Sequence, residues 1–118
     1  NDIKKNGHSI EFRINAENPI TLLPSTGIVK TYHPPGGPGI RIDSSLYNGC
    51  NINSFYDGLI SKIISTGNDR MECIMRLKRA LNEYVIEGVQ TNIPILKKIL
   101  DNNQFINGNF HINWIDKL

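Results

Sequence analysis

Alternating polar residues near the start of the chain are the side chains best placed to do chemistry. In the stretch GHSIEFRINAE (7–17), Glu11, Arg13 and Asn15 alternate with apolar residues. A period of two is typical of a strand with one buried face, so these three side chains are predicted to project together from one surface of a sheet. A guanidinium held on such a rigid surface can bind an anion through two parallel hydrogen bonds. The alternative is an ordinary solvent-facing strand, because alternation alone does not distinguish the two.

A second motif is the glycine-rich stretch PPGGPG (34–39). Glycine-rich turns can present backbone N–H groups to a phosphate. Here three prolines remove three of those donors, and neither a Lys-Ser/Thr pair nor a helix start follows, so the P-loop and dinucleotide-binding patterns are absent. The stretch is therefore predicted to be a rigid turn between two strands.

The histidines and cysteines do not indicate a metal or nucleophile site. His8, His33 and His111 lie far apart, while Cys50 and Cys73 have neither metal-site spacing nor the density of a disulfide-rich domain. The GxSxG pattern of serine hydrolases is absent as well. No metal ligand is predicted within the chain, and both cysteines are expected to be reduced.

Composition limits the classes of partner. The 118 residues carry 13 basic and 11 acidic side chains, a net charge of +2, which is too small to indicate nucleic acid or an anionic membrane. Basic residues between 69 and 83 could face RNA, but interleaved acidic residues favour an ordinary solvated helix face. An RNA-binding domain is thus an alternative, and its affinity would depend steeply on salt. No apolar run reaches the roughly 20 residues that span a bilayer, so a soluble, intracellular domain is expected.

The pattern of elements predicts one α+β domain. Strands are expected over 7–17, 27–33, 39–43 and 56–65, then a helix from the N-cap Asn68 to about Asn82, a strand over 84–87, and a helix capped by Thr91 or Asn92 that ends at Leu100. Short loops between strands favour antiparallel pairing, because a parallel pair needs a helical crossover. The prediction is a mostly antiparallel sheet with two main helices packed on it.

Five segments, in the same order, resemble the C-terminal domain of biotin carboxylase, an ATP-grasp enzyme. They are GHSIEFRINAE (7–17), LPSTG (23–27), YHPPGGPGIRID (32–43), YDGLISKII (56–64) and EGVQTNIPILKKIL (87–100). Because the resemblance covers nearly the whole chain, residues 1–118 are expected to be one domain of a longer protein. The resemblance implies that the N-terminal and ATP-grasp domains precede it.

The resemblance also implies a function, that of an ATP-dependent ligase. Such an enzyme uses ATP, Mg²⁺ and bicarbonate to carboxylate biotin on the biotin carboxyl carrier protein, the first half-reaction of acetyl-CoA carboxylase in fatty acid synthesis. The expected partners are that carrier, the carboxyltransferase subunits and a second copy of the chain, in the bacterial cytoplasm or a plastid. The alternatives are the equivalent segment of a propionyl-CoA or pyruvate carboxylase, or a noncatalytic dimerisation module derived from the same domain.

Individual roles carry over by resemblance to a few positions. Arg13 matches the family arginine that stabilises the oxyanion forming on the ureido oxygen of biotin. Ile112 and Asn113 match an Ile-His pair near the adenine of ATP, with asparagine in place of the histidine. Arg41 and Pro38 match positions at the homodimer interface. The family's metal ligands lie outside this segment, so the isolated chain is expected to be inactive.

Overall fold

The structure, a computed structural model, describes residues 7–53 and 59–107 of the chain. Its strands are β1 (His8–Asn15), β2 (Gly27–Ile28), β3 (Thr31–His33), β4 (Ile40–Ser44), β5 (Asn51–Ile52), β6 (Leu59–Gly67) and β7 (Val85–Glu87). Its helices are α1 (Arg70–Glu83), α2 (Ile93–Leu100) and α3 (Asn103–Ile106). All strand pairs are antiparallel, which confirms the predicted α+β class. The predicted start of the fourth strand, at residues 56–58, lies outside the described residues.

The central sheet has three strands in the order β1-β6-β4. As the alternation predicts, Ile10, Phe12 and Ile14 of β1 are buried while Glu11 and Arg13 are exposed. Helix α1 packs on the apolar face of this sheet. It contributes five buried side chains to the core, namely Cys73, Ile74, Leu77, Ala80 and Leu81.

Two small sheets extend the core beside the central one. The predicted strand over 27–33 divides in two, because β2 pairs with β5 while β3 pairs with β7. Between them, the N–H of Val29 donates to the Cys50 carbonyl at 2.8 Å and the N–H of Lys30 donates to the Glu87 carbonyl at 2.7 Å. The chain thus changes partner at Val29, whose side chain is fully buried.

A buried hydroxyl network joins the β3-β7 sheet to the central sheet. The Tyr84 hydroxyl lies 2.5 Å from the Ser61 Oγ and 3.1 Å from the Tyr32 hydroxyl. Burial raises the pKa of Tyr84 above its usual range, so the phenol stays protonated and can donate one of these bonds. The network therefore fixes the end of α1 against β6 and β3.

The N-cap of α1 is Asp69, so the prediction of Asn68 is wrong. The Asp69 carboxylate accepts a hydrogen bond from the Glu72 N–H at 2.8 Å, and the Glu72 side chain accepts one from the Asn68 N–H at 2.6 Å. This reciprocal arrangement resembles a capping box, and it needs the acceptor three residues before Glu72. The predicted end of the helix near Asn82 is confirmed within one residue, at Glu83.

The second predicted helix is confirmed, and of the two predicted capping residues Thr91 makes the side-chain bond to its first turn. Asn92 holds the N-cap position of α2 but makes no side-chain cap bond. Instead, the Thr91 Oγ1 accepts a hydrogen bond from the Ile93 N–H at 3.3 Å. The short helix α3 was not predicted, and its four residues are too few for a periodic pattern.

The PPGGPG stretch joins β3 to β4 as a turn, as predicted. Arg79 of α1 donates to the Gly36 carbonyl at 3.2 Å, and the Gly39 carbonyl accepts from the Thr66 N–H at 2.8 Å. Gly39 has φ +72, and a side chain there would collide with Arg76 and with the Thr66 carbonyl.

Among the described helices, none has the length and apolar character to cross a membrane.

Replacing the true cap of α1 should loosen its first turn. Asp69→Ala removes the acceptor of the Glu72 N–H, so we expect a loss of about 1 kcal/mol in local stability, or roughly fivefold faster exchange of that amide. Hydrogen exchange of the α1 amides measures this directly. Asn68→Ala is the matched control and should leave the amide protected. Equal acceleration in both variants would contradict the assignment of Asp69.

Candidate functional site on the open face of the central sheet

The face of the central sheet opposite α1 carries a row of charges across all three strands. Arg13 of β1 lies directly opposite Lys62 of β6, which in turn lies opposite Asp43 of β4. The neighbouring row places Glu11 and Arg41 on either side of Ile64. These six residues are called the open face below. Directly paired side chains lie on the same side of a sheet, so the register alone brings these groups together.

Two cations face each other on this surface. Arg13 is exposed, and its guanidinium makes no hydrogen bond or ion pair with the residues at 7–53 and 59–107. Lys62, its direct neighbour, is partly buried. Like charges directly opposite each other destabilise a sheet, and an anion placed between them would relieve that repulsion. The open face is therefore chemically suited to a negatively charged group.

The acidic end of the row is already paired. Arg41 donates to the Asp43 carboxylate from Nε and from Nη2, both at 3.1 Å. This bidentate pair joins two side chains of the same strand, and both are exposed. Asp43 is thus engaged by Arg41, so within the described part of the chain Arg13 is the guanidinium of this face that is open to a ligand.

The main chain of Arg13 is more firmly held than its side chain. Its carbonyl accepts a hydrogen bond from Nδ2 of Asn92 at 3.0 Å. The N–H of Asn15 donates to Oδ1 of Asn92 at 2.8 Å. Ile14, between them, is fully buried in the core. The guanidinium therefore projects from a strand segment that is fixed from two sides.

The segment that follows Arg13 contains a carboxyl group with a shifted pKa. Burial raises the pKa of Glu17, and a hydrogen bond from the Asn15 side chain offsets part of that shift. Both residues are half-buried. Glu17 also closes a β-bridge with Pro24, which ties down the loop after β1.

Of the other predicted site residues, two lie in or beside β4 and two lie outside the described residues. Arg41 and Pro38 are both exposed, at the start of β4 and in the turn before it. Ile112 and Asn113 lie outside the described residues. The structure therefore brings Arg13 and Arg41 onto one face, 28 residues apart in the chain, and has no bearing on the adenine-side pair.

A cleft of about 500 Å³ lies at the opposite end of β1 from Asn15. Its lining includes His8, Asn68, Glu72 and Arg76. Arg76 already donates to the Glu72 carboxylate at 3.3 Å and to the Thr66 carbonyl at 2.5 Å, so its charge is satisfied. Across residues 7–53 and 59–107, no group of three His, Cys, Asp or Glu side chains could hold a metal ion.

Comparison with known proteins assigns the family. Residues 11–117 match the model of the biotin carboxylase C-terminal domain, and the chain belongs to that family. It is 47% identical over 116 residues to biotin carboxylase 1 of Bacillus subtilis, covering 98% of this chain and 26% of that protein. It is 49% identical over 117 residues to a pyruvate carboxylase subunit of Methanothermobacter thermautotrophicus, covering 98% of this chain and 24% of that protein. The chain thus spans about a quarter of the length of these relatives.

Solved structures have the same fold. The complex of Campylobacter jejuni biotin carboxylase with β,γ-ATP superposes with a TM-score of 0.89 at 37% identity, covering 96% of this chain and 25% of that one. The biotin carboxylase domain dimer of Hydrogenobacter thermophilus 2-oxoglutarate carboxylase, in complex with MgADP, ADP and bicarbonate, gives a TM-score of 0.90 at 39% identity. That comparison covers 95% of this chain and 25% of that one.

Two features of the site were missed at the level of sequence. Lys62 does not stand out in the sequence, because polar and apolar residues do not alternate in β6: Ser61 is buried, while Ile64 lies on the open face. Asn92 was interpreted as a possible helix cap, and its contacts with β1 have no local signal because they join residues 77 and 79 positions apart.

The raised pKa of Glu17 predicts a pH dependence of stability. A carboxyl group whose pKa is higher in the folded than in the unfolded state adds most to the free energy of unfolding at pH values below its ordinary pKa, near 4.5. That contribution is lost as the pH rises through the folded-state pKa. Glu17→Gln mimics the protonated form, so its melting temperature should fall less than the wild-type value between about pH 4 and pH 8. Thermal unfolding over this range provides the measurement. Parallel curves for the two proteins would contradict the assignment.

Proposed function

We propose that this chain is the C-terminal domain of an ATP-dependent biotin carboxylase, in which Arg13 acts on the biotin ring. The complete enzyme carboxylates biotin on its carrier protein with bicarbonate. The family match over residues 11–117 is the observation that carries the proposal. The presence of an exposed guanidinium on a rigidly held strand supports it independently.

Both a biotin carboxylase and a pyruvate carboxylase subunit match the chain at nearly equal identity, 47% and 49%. The proposal therefore concerns the half-reaction that the two have in common, carboxylation of biotin. The acetyl-CoA carboxylase of fatty acid synthesis is the assembly we propose, with the biotin carboxyl carrier protein and the carboxyltransferase subunits as partners. Carboxylation of pyruvate is the alternative.

ATP, Mg²⁺ and bicarbonate are the proposed cofactors and substrate, because the related structures are complexes with β,γ-ATP or with MgADP and bicarbonate. By the resemblance to the family, we assign the ligands of the ion to the part of the protein outside residues 1–118; across 7–53 and 59–107, no group of three His, Cys, Asp or Glu side chains could hold a metal ion. ATP supplies the activation of bicarbonate. Ile112 and Asn113 remain the proposed contacts on the adenine side.

Arg13 is the residue of this chain to which we assign a chemical role. When the ureido nitrogen of biotin loses its proton, negative charge builds on the ureido oxygen. A guanidinium placed beforehand beside that oxygen stabilises the charge without reorganising, by roughly 3–4 kcal/mol if it behaves as one oxyanion-hole donor. Lys62 adds positive potential from the adjacent strand.

Self-association is assigned to the other end of the open face. Arg41 and Pro38 are exposed near the edge strand β4, where a second copy can approach. The bidentate bonds from Arg41 to Asp43 keep the guanidinium extended along the strand. The related Hydrogenobacter thermophilus domain forms a dimer, which supports the assignment.

Arg13→Ala in the complete protein should slow chemistry without weakening nucleotide binding. We expect turnover of biotin carboxylation to fall by about 10²–10³-fold, because the lost interaction is made mainly in the transition state. Arg13→Lys should recover only part, since an ammonium lacks the planar donor array. Biotin-dependent carboxylation and a nucleotide-binding titration measure the two effects separately.

The matched control for this prediction is Arg79→Ala, which removes an exposed arginine from α1 on the other side of the sheet. Its turnover should stay near the wild-type value. Near-normal turnover in Arg13→Ala, or a loss of nucleotide affinity in proportion to the loss of rate, would contradict the proposed role of Arg13 in stabilising the oxyanion.

Reversing the charge of Arg41 should weaken self-association. Arg41→Glu sets a carboxylate beside Asp43, so two like charges would meet the partner surface, and we expect the dimer dissociation constant to rise at least about tenfold. Sedimentation equilibrium of the complete protein measures it. Lys97→Glu makes the same charge change on α2 and should leave the constant unaltered; equal effects of the two substitutions would argue against an interface at β4.

A further inference from the structure

Asn92 begins α2, but its side chain serves a different element. It is 7% exposed, and it makes no side-chain cap bond to its own helix. Asparagine at an N-cap normally accepts a hydrogen bond from the second or third helical N–H. Here the Thr91 hydroxyl satisfies the first helical N–H, and the amide of Asn92 turns toward β1.

Three hydrogen bonds join Asn92 to the main chain around Arg13. Its Nδ2 donates to the Arg13 carbonyl at 3.0 Å, and its Oδ1 accepts from the Asn15 N–H at 2.8 Å. Its own N–H donates to the Asn15 carbonyl at 3.2 Å. Donor and acceptor of the amide are both used, so the buried side chain is hydrogen-bonded at both ends.

Near Arg13, the backbone groups of β1 that point away from β6 need another hydrogen-bond partner. Strand β1 lies at the edge of the sheet, and its register with β6 shifts between Ile14 and Asn15. The outward backbone groups of an edge strand have no ladder partner. The Asn92 amide takes the place of one peptide unit of a missing neighbouring strand, at the residues that flank Ile14.

We propose that Asn92 is a positioning residue, which directs the Arg13 guanidinium by holding the main chain from which it projects. The inference rests on the proposed oxyanion role of Arg13. Because the guanidinium makes no polar contact with residues 7–53 and 59–107, the backbone is what aims it within this part of the chain. A displacement of about 1 Å at a reacting group can cost about 10²-fold in rate.

The test is Asn92→Ser in the complete protein. Serine is a good N-cap, so α2 should still form, but its short side chain cannot bridge Arg13 and Asn15. We expect biotin carboxylation to slow by about 10–100-fold with the nucleotide dissociation constant unchanged. Asn92→Asp keeps the acceptor and loses the donor. It should also slow carboxylation without changing the nucleotide dissociation constant, and it provides the test if the serine variant does not fold.

Asn18→Ala is the matched control. The Asn18 Oδ1 accepts from the N–H groups of Ile20 and Thr21 at 2.8 and 3.0 Å, so the variant also loses bonds between an amide and the backbone, without touching the main chain of Arg13. It should keep near-normal turnover. Turnover in Asn92→Ser equal to that of this control would overturn the positioning role.

A double variant separates positioning from simple loss of stability. If Asn92 acts through Arg13, Arg13→Ala with Asn92→Ser should be no slower than Arg13→Ala alone. Multiplied rate losses, or a parallel loss of nucleotide affinity, would overturn the inference. Normal turnover in Arg13→Ala would instead refute the proposed function of Arg13, whereas a slow Arg13→Ala with a normal Asn92→Ser refutes only the role of Asn92.

Discussion

The register between β1 and β6 decides which side chains of this domain meet the core and which meet solvent. Phe12 lies opposite Ile63 on the buried face, and Arg13 lies opposite Lys62 on the open face. A slip of one residue would move Arg13 into the core and expose Phe12 and its apolar neighbours. Because burying an unpaired guanidinium is far more costly than exposing it, the apolar packing of β1 also fixes the position of the charge.

The core side of the same strand connects to the last described helix. The ring of Phe12 lies 5.9 Å from that of Phe105 in α3. Arg70, at the start of α1, stacks over the Phe105 ring at 4.7 Å and donates two hydrogen bonds to the Phe105 carbonyl. On β1, Phe12 therefore contacts α3 on the core side, and the next residue, Arg13, carries the cation of the open face.

Local patterns predicted much of this arrangement, and their failures have a common cause. The alternation of β1 and the helical spacing in α1 are properties of neighbouring residues, so both elements and the exposure of Arg13 followed from them. The division of 27–33 into β2 and β3 depends on partners near residues 50 and 87, and the use of Asn92 depends on β1. Such pairings leave no periodic signal. The prediction of the α1 N-cap failed for a different reason. Asn68 and Asp69 are both good capping residues, and only their spacing to Glu72 distinguishes them.

The strand order also governs how the domain is made. Both β1 and β4 precede β6 in the chain, yet β6 lies between them. During synthesis, neither has its ladder partner until β6 leaves the ribosome, and the 44 residues from Asn15 to Leu59 take roughly 2–9 s to translate. Throughout that interval the apolar residues of β1 lack the sheet partner that covers them in the folded domain. Exposed apolar surface of this kind makes a nascent chain prone to aggregation, and the central sheet cannot form before β6 has been synthesised.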